Sequence, residues 1–427
     1  MLAFSIAYFC QEGRVQGDSM QVKDFREEKF GYAVIGTRGE VCLATQKAKD
    51  HLRAGAHLDE NEYKPTVMTV NDPFRLEAPL IVMLEVTRQC NLTCGHCYIS
   101  AGEPRENEMD TETIYRVLDE LKKLKVFTIF ITGGEPFLRS DIVDIINYAE
   151  KCNFTIQIVT NGTLLTDTVL SQIRNRESIG FGISYLGGLD NGFSDDEAFS
   201  LLKEKVKLLK KYKFNVSVWF CVTKLNLDKM YEVGEWCLQN GVWPAYQSVM
   251  SNGRCKEHPF LALDVSDVEP YVKGLSVYDD NEQTDVAIKE KAKDYKNVFD
   301  ICYALEFSAA ACKGGRTFAY ICSNGDVYPC SNCAGEDLFL AGNLYDNTLS
   351  DMWKKSFQDI RAFTWNDFKG CETCELNASL GENQFCKLRC AAISKALYDD
   401  PLYCGATDYA KAISKHRFAW VEKYKGD

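Results

Sequence analysis

The sequence predicts an α/β protein built on a parallel sheet, with a small N-terminal unit before it and a cysteine-rich part after it. Three observations predict this. Between residues 80 and 250 six short apolar runs alternate with amphipathic stretches, the pattern of strands joined by crossover helices. The runs are apolar at nearly every position, not at every second one, as strands covered on both faces must be. Beyond residue 251 the alternation fades and glycine and cysteine accumulate, which suits a segment that folds around metal sites more than around a large apolar core.

The elements follow in order. Residues 30–35 and 41–44 read as two strands around a glycine-bearing turn at 36–39, and residues 46–53 as a short helix. Asp72-Pro73 and Ala78-Pro79 then break the chain, as a linker does. Residues 80–87, 126–132, 154–160, 179–186, 214–223 and 242–250 read as strands, and 111–124, 141–152, 166–175, 195–212 and 227–240 as the helices between them. The expected division is 1–79, 80–254, a bridging stretch at 255–310, and 311–427.

The chain has 427 residues, 46% of them hydrophobic, enough to bury substantial cores in two or three domains. No apolar run approaches the ~20 residues of a membrane helix. Residues 1–10 are apolar but lack a basic start and a small-residue cleavage site, so the expectation is a cytoplasmic protein without a signal peptide. A net charge of −12 argues against nucleic acid as the main partner. Nineteen cysteines in a reducing compartment point to metal or cluster ligation rather than disulfides. Seven of them, Cys10, Cys42, Cys152, Cys221, Cys237, Cys255 and Cys302, have no partner at ligand spacing and read as small buried hydrophobes.

Chemistry concentrates just after the first three strands. Thr87-Arg88-Gln89-Cys90-Asn91-Leu92-Thr93-Cys94-Gly95-His96-Cys97 holds a C-x₃-C-x₂-C run. Three thiolates so spaced can hold three irons of a [4Fe–4S] cube and leave the fourth open to a small molecule. A zinc site is the alternative, but it takes four ligands, and only His96, inside the tight loop, stands nearby. Gly133-Gly134-Glu135-Pro136 follows the second strand, and its two glycines allow a ligand to approach the backbone. The C-terminal ends of parallel barrel strands are where such folds carry chemistry.

From residue 80 to 254 these motifs, with Thr160-Asn161-Gly162 after the third strand, resemble the radical S-adenosylmethionine (SAM) superfamily. The resemblance implies a partial (β/α)₆ TIM-like barrel. It implies SAM chelated to the open iron through its amino and carboxylate groups and cleaved by one electron to a 5′-deoxyadenosyl radical. It assigns Gly133, Gly134, Glu135 and Pro136 to the SAM amino group, sets Asn161 and Ser184 near the ribose or carboxylate, and makes Arg254 a further candidate.

The later cysteines, Cys312-x₁₂-Gly325-x₄-Cys330, Cys371-x₂-Cys374, Cys386-x₃-Cys390 and Cys404, look like the SPASM extension of peptide-modifying radical SAM enzymes. That resemblance implies two auxiliary [4Fe–4S] clusters, Cys312, Cys330 and Cys390 serving the first and Cys371, Cys374, Cys386 and Cys404 the second. The stretch between Cys374 and Cys386 is longer than the family's and reads as an inserted loop. Three cubes offer twelve iron corners, one kept for SAM; the motifs supply ten cysteines. Cys322 is the expected eleventh ligand, with Cys333 or an iron left open to a substrate thiolate as alternatives.

Residues 25–31 and the strands after them are similar to the leader-peptide-recognition element of peptide maturases, a small winged-helix-like module that captures a precursor by strand addition. Together the resemblances imply an enzyme that crosslinks a ribosomally made peptide through Cys thioether bonds, fed by an electron donor such as flavodoxin or ferredoxin. Carbon–carbon crosslinking is the nearest rival. Sulfatase maturation fits less well, because Ser331 follows Cys330 where those relatives carry an Asp. A non-catalytic zinc-binding interaction protein is the rival from another class.

Overall fold

The structure, a computed structural model, describes residues 19–29, 31–37, 41–59, 76–250, 252–278, 280–281, 314–362, 367–371, 373–378, 390–404 and 406–425. Among these, no helix is long and apolar enough to cross a membrane. Cys10, Cys302, Cys312 and Cys386 lie outside the described residues.

Six strands form the centre: β5 (Ile81–Thr87), β6 (Thr128–Gly133), β7 (Thr155–Thr160), β8 (Ile179–Ser184), β9 (Asn215–Val222) and β10 (Trp243–Ser248). Each lies parallel to the next in chain order. β10 and β5 do not pair, so the sheet curls as an open, partial barrel. Helices α1 (Thr111–Lys123), α2 (Ile142–Lys151), α3 (Asp167–Ser171), α4 (Asp195–Lys211) and α5 (Met230–Gln239) supply the crossovers. Local chemistry sets their starts. The Asp110 carboxylate accepts from the Thr113 amide at 2.8 Å, and Ser194 and Glu197 close a capping box on α4. Ile114, Val117, Leu118 and Leu121 of α1 are buried, the one-sided stripe that holds a crossover helix on a sheet.

Alternation along the strands gives the barrel two unlike faces. Leu84, Ile131, Ile158, Phe181 and Val218 pack outward under the helices. The inward positions carry Glu85, Gln157, Ser184, Trp219 and Cys221 instead. The interior is therefore mixed, with Met83 and Phe130 beside the polar groups.

The sheet does not stop at β5. β11 (Phe318–Ile321) pairs parallel to its other edge, Tyr320 opposite Met83, and β12 (Asp326–Tyr328) and β13 (Gly342–Asn343) follow antiparallel. This extension was not predicted, and it carries the start of the cysteine-rich part to the barrel's side. The Tyr320 hydroxyl donates to Glu85, and so do the Ser323 amide at 3.2 Å and hydroxyl at 2.8 Å. Glu85 is fully buried, and these donors are what make a carboxylate tolerable there.

The N-terminal unit is an antiparallel sheet in the order β3 (Val41–Thr45), β2 (Gly31–Gly36), β1 (Ser19–Glu28), β4 (His57–Asp59). A 3₁₀ segment, Gln46–His51, stands where the sequence predicted a helix, and β1 and β4 were unpredicted. Buried Arg26 fixes the unit to the barrel. Its guanidinium bonds Glu28 at 2.6 Å and donates to the carbonyls of Ala78 (2.8 Å), Pro79 (3.2 Å), Leu124 and Lys125 (both 3.0 Å).

Candidate radical and auxiliary cluster sites

The first cysteine loop leaves β5 through a slip of register against β6 between Glu85 and Thr87. Neighbouring elements then hold it. The Cys90 amide donates to Gly102 O at 2.8 Å and the Gly95 amide to Leu189 O at 3.0 Å. Arg254 closes the loop from the far side. Its guanidinium donates to Cys94 O at 2.6 Å and to Ala101 O, and its amide to Cys97 O at 3.0 Å. Gly253 makes that approach possible: at φ 55°, a Cβ there would stand 2.4 Å from Tyr98 O. Arg254 is thus not a solvated surface residue; it clamps the loop's carbonyls.

The sulfurs receive donors as well. The Ala101 amide lies 3.2 Å from Cys97 Sγ and Asn191 Nδ2 3.6 Å from Cys94 Sγ. Hydrogen bonds to sulfur of this kind tune cluster potentials. Burial pushes the Cys94 thiol up to about 11, against the Asn191 bond and with the neighbouring Cys97 and Cys90 adding to it. A bound cluster would supply the positive charge that thiolates at Cys90, Cys94 and Cys97 need. The donor set and its hydrogen bonds fit a [4Fe–4S] cube with three protein ligands.

Gly133 and Gly134 also make room for the chain itself. A Cβ on Gly133 would fall 2.1 Å from Thr87 O, and one on Gly134 2.2 Å from Gln89 O. Their bareness lets the β6 turn lie against the cysteine loop itself, and the amides of Gly134 and Glu135 donate to Thr87 O (2.9 Å) and Gln89 O (2.8 Å). Glu135 points inward, 0% exposed. It accepts from Thr160 Oγ1 (2.7 Å) and the amides of Asn161 (2.8 Å) and Phe137 (3.1 Å). Burial nonetheless lifts its carboxyl to about 7. Asn161 donates to Asn91 Oδ1 at 2.9 Å and accepts from Thr163, so its amide ties the third strand's loop to the cysteine loop. Pro136 opens a short 3₁₀ turn, and Ser184 is half-buried at the top of β8.

Further residues join this site without having been foreseen. The Cys221 thiol on β9 is pushed well up by burial, then by Cys255, Cys94 and Cys97. Cys221 and Cys255, which read as isolated apolar fillers, therefore stand beside the loop; the inward parity of positions 217, 219 and 221 was the usable signal. Tyr98, next to Cys97, hydrogen-bonds Ser331, next to Cys330.

The C-terminal cysteines gather in two places. The sulfurs of Cys330 and Cys333 are 3.6 Å apart across the turn Ser331–Cys333, and Asn332 Nδ2 lies 4.0 Å from Cys390 Sγ. Cys371 shares a small apolar cluster with Phe368, Leu402 and Cys404. Lys369 N donates to Leu402 O at 2.8 Å, and Cys374 N to Cys371 O at 3.2 Å. Cys322 is buried at the end of β11; the charges acting most strongly on it are Glu85, Arg105, Asp326 and Arg88.

Residues 84–237 match the radical SAM superfamily, and residues 312–375 match SPASM, an iron–sulfur cluster-binding domain. The chain is a radical SAM enzyme with a SPASM domain. It is 26% identical over 307 residues to the mycofactocin maturase MftC of Mycolicibacterium smegmatis, covering 67% of this chain and 73% of that protein. It is 24% identical over 350 residues to the AdoMet-dependent heme synthase of Methanosarcina barkeri, covering 77% and 96%. Among solved structures, Streptococcus suis SuiB bound to precursor peptide SuiA is similar over 90% of this chain and 98% of that one, with TM-score 0.63 and 19% identity. That last likeness is one of fold. In this radical SAM enzyme the triad loop, the Gly133–Pro136 turn and the Asn161 loop meet above β5, β6 and β7 as one contiguous site.

Proposed function

We propose that this enzyme matures a ribosomally made peptide by oxidative crosslinking, joining a cysteine sulfur to a carbon of another residue. The observation that carries the reading is the junction of two cysteine loops. Cys97 and Cys330 are separated by their neighbours Tyr98 and Ser331, which are hydrogen-bonded to each other. A reaction centre and an electron acceptor held that close suit chemistry in which hydrogen leaves first and an electron follows.

In this reading Cys90, Cys94 and Cys97 hold the SAM-binding cluster. Cys312, Cys330 and Cys390, and Cys371, Cys374, Cys386 and Cys404, hold two auxiliary ones. SAM, when bound, supplies a 5′-deoxyadenosyl radical that ends as 5′-deoxyadenosine carrying the abstracted hydrogen. The peptide loses one carbon-bound hydrogen that way; its thiol loses a proton to solvent as the sulfur–carbon bond forms, and one electron passes to the auxiliary site. Arg254 holds the triad's carbonyls. Gly133, Gly134, Glu135 and Pro136 form the wall against which the SAM amino group would rest, with Asn161 and Ser184 at the rim. The outer edge of β3 is unpaired among the described residues, and a leader segment is proposed to add there as a further strand. A flavodoxin or ferredoxin type of donor would reduce the first cluster.

The fold likeness to SuiB with its precursor peptide favours a peptide substrate, and Ser331, bonded to Tyr98, is not placed to act as the base that sulfatase maturation would require. The heme synthase relative supports a second reading, a small-molecule substrate in the same barrel. Anaerobic reaction with SAM, reductant and a precursor peptide distinguishes the two. The expected product has lost the mass of two hydrogen atoms per crosslink and resists thiol alkylation at the joined cysteine. An alkylatable cysteine in a product of that mass selects carbon–carbon crosslinking. An unchanged peptide alongside 5′-deoxyadenosine overturns the peptide reading.

A further inference from the structure

Two sulfurs of the triad are met by donors of different kinds. Cys97 Sγ receives the Ala101 amide at 3.2 Å, from the backbone just beyond the motif. Cys94 Sγ receives a side chain from another part of the barrel, Asn191 Nδ2 at 3.6 Å. Asn191 stands in the connection between β8 and α4. Its partners settle which way its amide faces. Nδ2 also donates to Leu186 O at 3.0 Å, and Oδ1 accepts from the Phe193 amide at 3.1 Å. Turned over, the amide would set Oδ1 against two acceptors, the Leu186 carbonyl and the Cys94 sulfur, and Nδ2 against a donor N–H.

The connection that carries Asn191 is fixed on both sides. Thr223 Oγ1 donates to Gly188 O at 2.7 Å, and Asn226 Nδ2 to Gly187 O at 2.9 Å. Asn226 is fully buried and also donates to Cys221 O of β9 at 2.9 Å. Gly188, at φ 63°, lies so close to it that a Cβ there would fall 2.5 Å from the Asn226 side chain. On the other side Leu189 O accepts from the Gly95 amide of the cysteine loop at 3.0 Å. The donor and the sulfur it faces are thus tied to each other and to the end of β9. A donor positioned beforehand needs little rearrangement when charge arrives at its acceptor.

We propose that Asn191 is a positioning residue that raises the reduction potential of the first cluster by donating to the Cys94 thiolate. Reduction of a [4Fe–4S] cube takes up one electron from the donor, and part of the added negative charge falls on the ligand sulfurs. A fixed N–H at one of them favours the reduced cube over the oxidised one. Because this donor is a side chain, substitution removes it without altering the cysteine loop's own sequence.

The test uses the full-length chain, reconstituted anaerobically and titrated with dithionite and redox mediators in the absence of SAM. Electron paramagnetic resonance follows the reduced first cluster, taken as the part of the signal missing from a Cys90/Cys94/Cys97→Ala variant. Iron per chain and circular dichroism report loading and folding. In Asn191→Leu the ratio of reduced to oxidised first cluster, read at the parent's midpoint, is expected to fall about tenfold, as loss of one hydrogen bond to a charged group implies. That is a downward shift of about 59 mV for a one-electron couple. Asn191→Asp keeps an acceptor for the Phe193 amide and loses both N–H donors. It should fall at least as far, and it carries the comparison if the leucine variant does not fold. Asn191→Gln, which keeps a donor, should recover part of the shift. A merely structural role would lower iron content or the circular dichroism signal and leave the midpoint of the remaining cluster at the parent's value. That result, or an unchanged midpoint in loaded and folded variants, overturns the proposal. A parent whose triad takes up no reducible cluster overturns it too; that outcome appears before any variant is compared and refutes the triad assignment itself.

Discussion

The two cysteine-bearing regions of this enzyme are held by different means. The triad loop is placed by the barrel. Gly102, Leu189, the Gly133–Gly134 turn and Arg254 all contact its backbone, and the strand beneath it is buried along its whole length. The described residues between 367 and 404 divide: Ala392 joins the barrel's core, and a smaller cluster stands beside it. Phe368 and Cys371 anchor a cluster with Leu402, Cys404 and Ala391 around it, and the helix after Cys374 has four residues. The preceding stretch, with Trp353 and Phe357, joins the barrel's own core. The difference teaches that metal is asked for different things. A cluster at the first site would enter a loop the fold already positions; one at the last would add to a smaller apolar cluster.

Chelation should break this symmetry most visibly. Where binding free energy is folding free energy, it amounts to on the order of 10 kcal/mol. Iron removal is expected to open residues 367–404 to proteolysis while the barrel helices persist, measured by limited digestion with mass spectrometry and circular dichroism. Equal loss of both regions would erase the distinction. Next in size, Cys94→Ala should lower 5′-deoxyadenosine formation by more than ~10³-fold, because two thiolates do not hold the cube, and should leave the auxiliary irons in place.

The Glu135 carboxyl provides a pH handle on the barrel alone. Burial lifts it to about 7 from 4.5, so between those values the folded chain keeps a proton that the unfolded chain has released. Its contribution to stability is complete below pH ~4.5 and is lost as pH rises through ~7, by up to about 3 kcal/mol. Denaturant titrations of the barrel transition at several pH values check this, and Glu135→Gln should flatten the dependence. The smallest effect is that of Arg254→Ala. It removes a positioning residue, with an expected ~10–100-fold weakening of the first cluster's iron affinity. Arg254→Lys should recover only part of that, since a single ammonium does not span Cys94 O and Ala101 O as the guanidinium fork does.

Much of the barrel was legible because its apolar runs are continuous and evenly spaced; the six expected strands match β5 to β10 to within about two residues at most ends. β11 was not, since four residues flanked by glycines and a cysteine resemble any short apolar stretch, and nothing local marks a strand that pairs with one far away in sequence. β1 escaped for another reason: Ser19–Glu28 is charged and partly exposed. The site was legible as motifs but not as contacts. Gly133 and Gly134 were read as room for a ligand, and the motif alone did not show that they also admit the chain's own Thr87 and Gln89 carbonyls. Arg254 and Cys221 approach the triad through tertiary folding, which strand parity marks faintly at Cys221 and which the motif at Arg254 does not describe.

The account depends most on the first cluster having one iron that the protein does not ligate. Electron paramagnetic resonance of the reduced, fully loaded enzyme, recorded with and without SAM, tests it directly. The predicted result is a signal that shifts when SAM is added. In a Cys90/Cys94/Cys97→Ala variant that SAM-sensitive part should vanish while iron falls from ~12 to ~8 per chain. A spectrum indifferent to SAM, or zinc bound at the triad, would contradict it.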